Sequence, residues 1–241
     1  MSKTAALPVV DDDALNPKVA VSCLDFLLIE LVPLAQRMAE GLHAREQALV
    51  DEFQQSKIFN NRDATASATD EKAGTSTTQG EAGPAQNSGT ALGPSGMSGE
   101  IRDAVFWRLD NLGYRVGQGL VERFSVNKPR PQSPLDAIKF VCKDLWILLF
   151  RKQIDNLKTN HRGVFVLTDT RFQPISRMSV DKRGGAKAVE VALARAQMFL
   201  YFPCGVIRGA LAGLGIEVTV TAETIELPAA VFQIKTKGAK A

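Results

Sequence analysis

Histidine is almost absent from this chain: His43 and His161 are the only two. Neither has a cysteine or carboxylate at metal-ligand spacing, which excludes a zinc site of the usual type. Cysteine is nearly as scarce. Cys23, Cys142 and Cys204 are odd in number and far apart, and two sit in apolar runs. That pattern belongs to buried thiols in a reducing compartment, not to a disulfide framework. A cysteine nucleophile would need Cys142 or Cys204 beside His161, yet apolar surroundings disfavour the thiolate. No GxSxG, P-loop or HExxH segment occurs, and the acidic triplet Asp11–Asp13 is too local for a metal cage. Charge of one sign is lacking too. With 29 basic and 26 acidic residues the net charge is +3, too small and too scattered for a nucleic-acid face. No apolar run approaches the roughly 20 residues of a membrane span. The opening MSKTAALPVVDDD has no signal-peptide core, and no Asn-x-Ser/Thr acceptor occurs. The expectation is a soluble, cytosolic chain with no catalytic residue, no cofactor and no metal.

What is present is enough apolar material for a core, 45% of the residues against 23% charged. The richest stretch is 136–169. Ile138, Val141, Cys142, Leu145, Trp146, Leu148, Leu149 and Phe150 cover most of a helical wheel, and Asp144, Arg151 and Asp155 share one stripe. Such a helix is buried on more than one side. The polar run 158–163, closed by glycine, is expected to end it. A strand deep in a sheet then follows from Val164 to Leu167.

In chain order, 1–17 reads as a loose arm. The stretch 18–53 reads as one long amphipathic helix, with Leu24, Leu27, Leu28, Leu31, Leu34, Met38, Leu42 and Leu49 along one stripe. Pro33 is expected to kink it or divide it near Leu31. This stripe is longer than one small sheet needs, so it covers either its own core or a partner subunit. Residues 60–99 are Ala, Thr, Ser, Gly, Gln and Pro, unable to bury enough surface to offset about 1–2 kcal/mol of backbone entropy per residue. They read as a disordered insertion within one domain spanning 18–236, with 237–241 as a short basic tail.

Helix resumes over 100–124, with Gly113 and Gly117 on one face, where they let a neighbouring helix approach closely. A phosphate cradle is disfavoured because its glycines should follow a strand and open a helix. Three prolines make 127–134 an extended connector. A hairpin is expected from 163–168 and 173–179 around a turn at 169–171. The loop 181–187 reads as a solvated turn, with phosphate binding by Lys182 and Arg183 as its competitor. The stretch 188–214 reads as two helices broken at Pro203, the second notched by Gly205, Gly209 and Gly213. Residues 216–221 and 230–235 alternate as a second hairpin. The fold class expected is α+β, a four-stranded, mainly antiparallel sheet with helices on one face.

Three segments, GYRVGQGLVERF at 113–124, KFVCKDLWILLFRKQIDNLKTNHRGVFVLTD at 139–169 and YFPCGVIRGALAGLGIEVTVTAE at 201–223, resemble small subunits of the TRAPP (transport protein particle) vesicle-tethering complex. They are most similar to the subunit-six, or thirty-three-kilodalton, type. The order KDLW, then LKTNH running into a strand, then CGVIRGAL is specific. The resemblance implies a twisted four-stranded antiparallel sheet packed on helices. It also implies heterodimerisation with an acylated sister small subunit through the first two helices. The residues placed at that interface are Leu24, Leu27, Leu28, Leu31, Leu34, Met38, Val105, Leu109, Leu112 and Val116. Further implied partners are larger TRAPP subunits and, indirectly, a Rab-type GTPase. The implied setting is peripheral at Golgi and ER–Golgi membranes, with a part in autophagy-related traffic. Two departures stand out. The sister's acylation cysteine near the start of the central helix has no counterpart in 133–139, and the 60–99 insertion is additional to the short family pattern. The main competing reading is a carrier of a lipid or small molecule in an apolar core pocket. A thiol enzyme using Cys142 or Cys204 is a weaker one.

Overall fold

Alternation at 216–221 and 230–235 does produce a hairpin, and the sheet is built outward from it. In the computed structural model, which describes residues 19–66, 98–126, 128–160, 163–180, 183 and 185–237, β3 (Val218–Glu223) and β4 (Ala230–Thr236) pair antiparallel. β4 in turn pairs antiparallel with β2 (Val164–Asp169), setting Phe165 against Ile234 and Leu167 against Phe232. β1 (Asn156–Thr159) closes the other edge, giving the order β1-β2-β4-β3. Side chains of period two put Phe165, Leu167, Ala230, Phe232, Ile234, Val218 and Ala222 on the buried face, while Thr219 and Thr221 face water. This is the expected α+β sheet of four antiparallel strands.

One of its strands comes from a different place than the sequence suggested. The segment 173–179 is not a strand. Gln173–Ile175 is a 3-10 turn started by Pro174, and its apolar residues Phe172, Ile175 and Met178 recur every three residues. Instead Asn156–Thr159, read as the polar tail of the central helix, is an edge strand. Only Leu157 and Thr159 of its four residues are half-buried, so it carries almost no hydrophobic signal. The stop signals shift accordingly. Gly163, at φ 83, turns the β1–β2 hairpin rather than capping a helix. The helix ends earlier, at Arg151, the one described non-glycine residue with positive φ.

Helix α1 (Val21–Ala66) runs unbroken through Pro33 and past residue 53 into the low-complexity segment. The proline removes one backbone bond at a cost of about 3 kcal/mol. On both sides of it Leu28, Val32, Ala35 and Ala39 are buried in the same strip, which offsets that cost. Helix α2 (Gly99–Phe124) is capped by Ser98, whose Oγ accepts from Ile101 N at 3.4 Å. The central helix is α3 (Pro134–Phe140), a π-helical stretch (Val141–Leu145) and α4 (Trp146–Phe150). The Cys142 carbonyl of the π stretch accepts from Ile154 N at 3.1 Å.

Helices α5 (Gly185–Met198) and α6 (Tyr201–Gly213) follow. The break falls at 199–200, not at Pro203. Pro203 sits in the first turn of α6, where its missing N–H has no partner to lose. No helix among the described residues is long and apolar enough to cross a membrane. The arm 1–17, residues 67–97 of the insertion, His161 and Lys182 lie outside the described residues.

Candidate functional site

The surface with most to offer is the outer side of α1 and α2, and what holds α2 in place is its seam with α6. Gly113, Gly117, Gly205 and Gly209 interlock there. A Cβ at any of them would lie within 3.0 Å of the opposing helix's backbone: Phe202 O and Val206 O for Gly113 and Gly117, Asp110 O and Tyr114 O for Gly205 and Gly209. The two axes are therefore at backbone contact. One ion pair locks the seam. Asp110, 5% exposed, accepts from Arg208 Nη2, and the guanidinium lies 4.4 Å from the Tyr114 ring centre. Arg208, awkward in an otherwise apolar helix, thus has its charge matched inside the fold. Its partner was hidden in the sequence among the apolar positions of α2.

The central helix is fixed to the sheet by a second buried carboxylate. Asp169, fully buried, accepts from Trp146 Nε1 at 2.9 Å, Lys152 Nζ at 2.7 Å and Arg171 N at 3.0 Å. Lys152 also reaches Asp155 at 2.9 Å, and Asp155 accepts the Thr170 N–H and hydroxyl, both at 2.7 Å. Those bonds, Lys152 first, hold the Asp155 carboxyl down at about 2. Burial pulls the Lys152 ammonium down, but bonds to Asp169 and Asp155 outweigh it and leave it raised. Around this knot Trp146, Phe150, Phe172 and Phe232 stack edge to face and tilted, with ring centres 4.6–5.9 Å apart. The apolar side of the central helix, from which a ligand-carrying core was the competing expectation, is filled here by these rings.

Helix α1 is laid across α2 by its inner strip and pinned at its start by Asp25, which accepts from Gln173 at 2.6 Å and Arg177 at 3.3 Å. Its adjacent strip faces out. Leu27 is 55% exposed, Leu34 44% and Met38 51%, and beyond them Leu42, Leu49, Val50 and Phe53 are exposed as well. Leu24 and Leu31 on the same helix, and Leu112 and Val116 on α2, are half-buried and pack against the core. Three residues placed at the interface by resemblance belong instead to the chain's own core: Leu28, Val105 and Leu109 are 8%, 0% and 1% exposed. They lie where α1 and α2 press on the rest of the fold, and the helical period alone could not separate them from their outward neighbours.

Two of the three thiols are buried and held in the protonated form. Burial pushes the Cys142 thiol up to about 12 and also raises Cys204, with the Asp110 charge adding to the latter. Cys23 is exposed on α1. No cluster of three or more histidine, cysteine, aspartate or glutamate side chains suited to a metal occurs among the described residues.

The model of the transport protein particle (TRAPP) component family matches residues 24–237. The chain belongs to the TRAPP family. Human trafficking protein particle complex subunit 6B is 45% identical over 141 residues, 58% of this chain and 84% of that protein. Subunit 6A of Bos taurus is 43% identical over 126 residues, 52% of this chain and 74% of its own. An uncharacterised protein of Schizosaccharomyces pombe is 31% identical over 217 residues, 90% of this chain and 64% of that one. A crystal structure of subunit 3 from Naegleria fowleri, covalently bound to palmitic acid, aligns at TM-score 0.45 and 15% identity over 56% of this chain and 82% of that one. The chain is a TRAPP small subunit of the subunit-six type. In this TRAPP component the start of the central helix is a hydroxyl cap. Ser133 accepts from Asp136 N at 3.2 Å and donates to Asp136 Oδ2 at 2.8 Å. The nearest thiol along the helix, Cys142, is buried in the π turn.

Proposed function

We propose that this chain is a non-catalytic, architectural subunit of the TRAPP vesicle-tethering complex, paired with a sister small subunit across the outer face of α1 and α2. The observation that carries this reading is the exposed strip Leu27, Leu34 and Met38 on α1, with Leu24 and Leu31 half-buried on the same helix and Leu112 and Val116 half-buried on α2. Burying the exposed halves of the first three contributes about 1 kcal/mol apiece, and the half-buried neighbours extend the patch into an interface core. The assembled particle then promotes nucleotide exchange on a Rab-type GTPase, with this subunit acting through the architecture rather than at the exchange surface. Its place is the cytoplasm, peripheral to ER–Golgi and Golgi membranes, with larger TRAPP subunits as further partners. The domain is a single unit over 18–236, interrupted by the insertion within 60–99.

The test is co-purification with the other TRAPP small subunits from cells producing Leu27→Asp/Met38→Asp. The double variant should fold and melt like the parent, because both side chains are exposed, and should lose its sister subunit. Retention of that subunit at parental stoichiometry removes the assignment of this face.

A further inference from the structure

A groove of about 430 Å3 lies where the ends of α2 and α6 and the 128–132 connector meet α3 and the π stretch, within the roughly 300–1,000 Å3 of ordinary ligand sites. No residue of α1 lines it, so it is separate from the face assigned to the sister subunit. Phe140, Leu214, Pro129 and Pro131 supply apolar surface. The rim carries the cations Lys128, Arg130, Lys139 and Lys143 against the carboxylates Asp136 and Asp144. Both carboxylates are engaged. Asp144 accepts from Lys128, whose ammonium also sits 5.0 Å from the Phe140 ring centre, and Asp136 lies 3.7 Å from Lys139. Arg130 and Lys143 are exposed and have no carboxylate partner among the described residues. Two uncompensated positive charges therefore stand over an apolar floor.

The connector supplies a further element of recognition, its own backbone. Arg130 stands between two prolines, which lack N–H groups and keep this stretch out of helix and sheet. Its N–H and carbonyl make no hydrogen bond among the described residues. An extended peptide laid beside it can pair with both groups while sending alternate side chains to floor and rim. An acyl chain has no use for them, so the backbone favours a peptide over a lipid.

We propose that this groove binds a short extended segment of a partner protein in which aliphatic and acidic residues alternate. Its aliphatic side chains rest on Phe140 and Leu214, and its carboxylates meet Arg130 and Lys143. The probe is a fluorescein-labelled eight-residue peptide alternating leucine and glutamate, titrated with the full chain and followed by anisotropy. Saturable binding is expected, weakening at least tenfold in Arg130→Glu/Lys143→Glu and at least tenfold when glutamine replaces glutamate in the peptide. Lys158→Glu, an exposed cation on β1, should leave it unchanged. The groove variant should melt with the parent, since neither side chain has a partner to lose. Equal affinity of parent and groove variant overturns the proposal. So does tighter binding, through the same two cations, of phosphatidylserine–phosphatidylcholine vesicles, which would assign the groove to a membrane. A tenfold gain in peptide affinity on replacing Asp11, Asp12 and Asp13 by serine in the full chain also overturns it, by making the chain's own acidic stretch the occupant.

Discussion

Asp169 has no accessible surface, yet three donors meet it, so its charge is matched where an unpaired one would be costly. Its neighbour Asp155 makes the arrangement measurable. In the fold its carboxyl titrates at about 2 rather than the ordinary 3.8. A depressed carboxylate contributes stability that is complete above 3.8 and is lost as pH falls through 2. Solvent reaches 37% of this side chain, so the contribution is screened. Between pH 5 and pH 2.5 the urea midpoint of the parent should therefore fall further than that of Asp155→Asn, which has no carboxyl to protonate. Equal falls would show that the Lys152 and Thr170 bonds do not act as described. The sequence offers no spacing that joins Trp146, Lys152, Asp155 and Asp169. They meet only because the central helix stops at Arg151 and the chain reverses through β1, a turn written in polar residues with little pattern.

At the scale of elements, what was legible depended on whether the signal was local. Gly113 and Gly117 at helical spacing, and Gly205 and Gly209 likewise, announced close packing, and the α2–α6 seam is that packing. The β3–β4 hairpin was legible from alternation for the same reason. The edge strand β1 was not, because an edge needs few apolar side chains. Pro33 reads as a breaker in the sequence, yet α1 runs through it, because the burial that overrides it comes from tertiary contact. The glycine seam supports a paired prediction. In Gly117→Ala the new Cβ meets Val206 O and Ala210 N inside 3.0 Å, and both atoms are backbone. The helices must separate, at a cost of about 3 kcal/mol or more. Gly119, two residues on in the same helix, has nothing within 4 Å of a Cβ. Gly119→Ala should raise stability by about 0.5–1 kcal/mol through helix propensity alone. Chemical denaturation of both variants checks this. Similar effects in the two would mean that the seam is looser than backbone contact.

At the scale of the whole molecule, the two faces of α1 have different consequences for stability. The inner strip stabilises the chain by itself, whereas the outer strip does so only when something covers it. A partner that binds the folded chain alone raises its stability by RT ln(1 + [L]/Kd), about 2.7 kcal/mol at one hundred times Kd. For a domain of this size that corresponds to a rise of about 5–10 °C in Tm. The full chain titrated with another TRAPP small subunit that covers this strip should show that rise, scaling with the logarithm of partner concentration. Leu27→Asp/Met38→Asp should melt at the parental temperature when alone and show no rise with partner. Leu28→Ala should do the opposite, since Leu28 is 8% exposed and packs inward. It should melt lower when alone, by about 2–5 kcal/mol of lost stability, yet keep the partner-dependent increment. If Leu28→Ala also lost the increment, the inner and outer strips would be one coupled surface, and the division of α1 into a core side and a docking side would not hold.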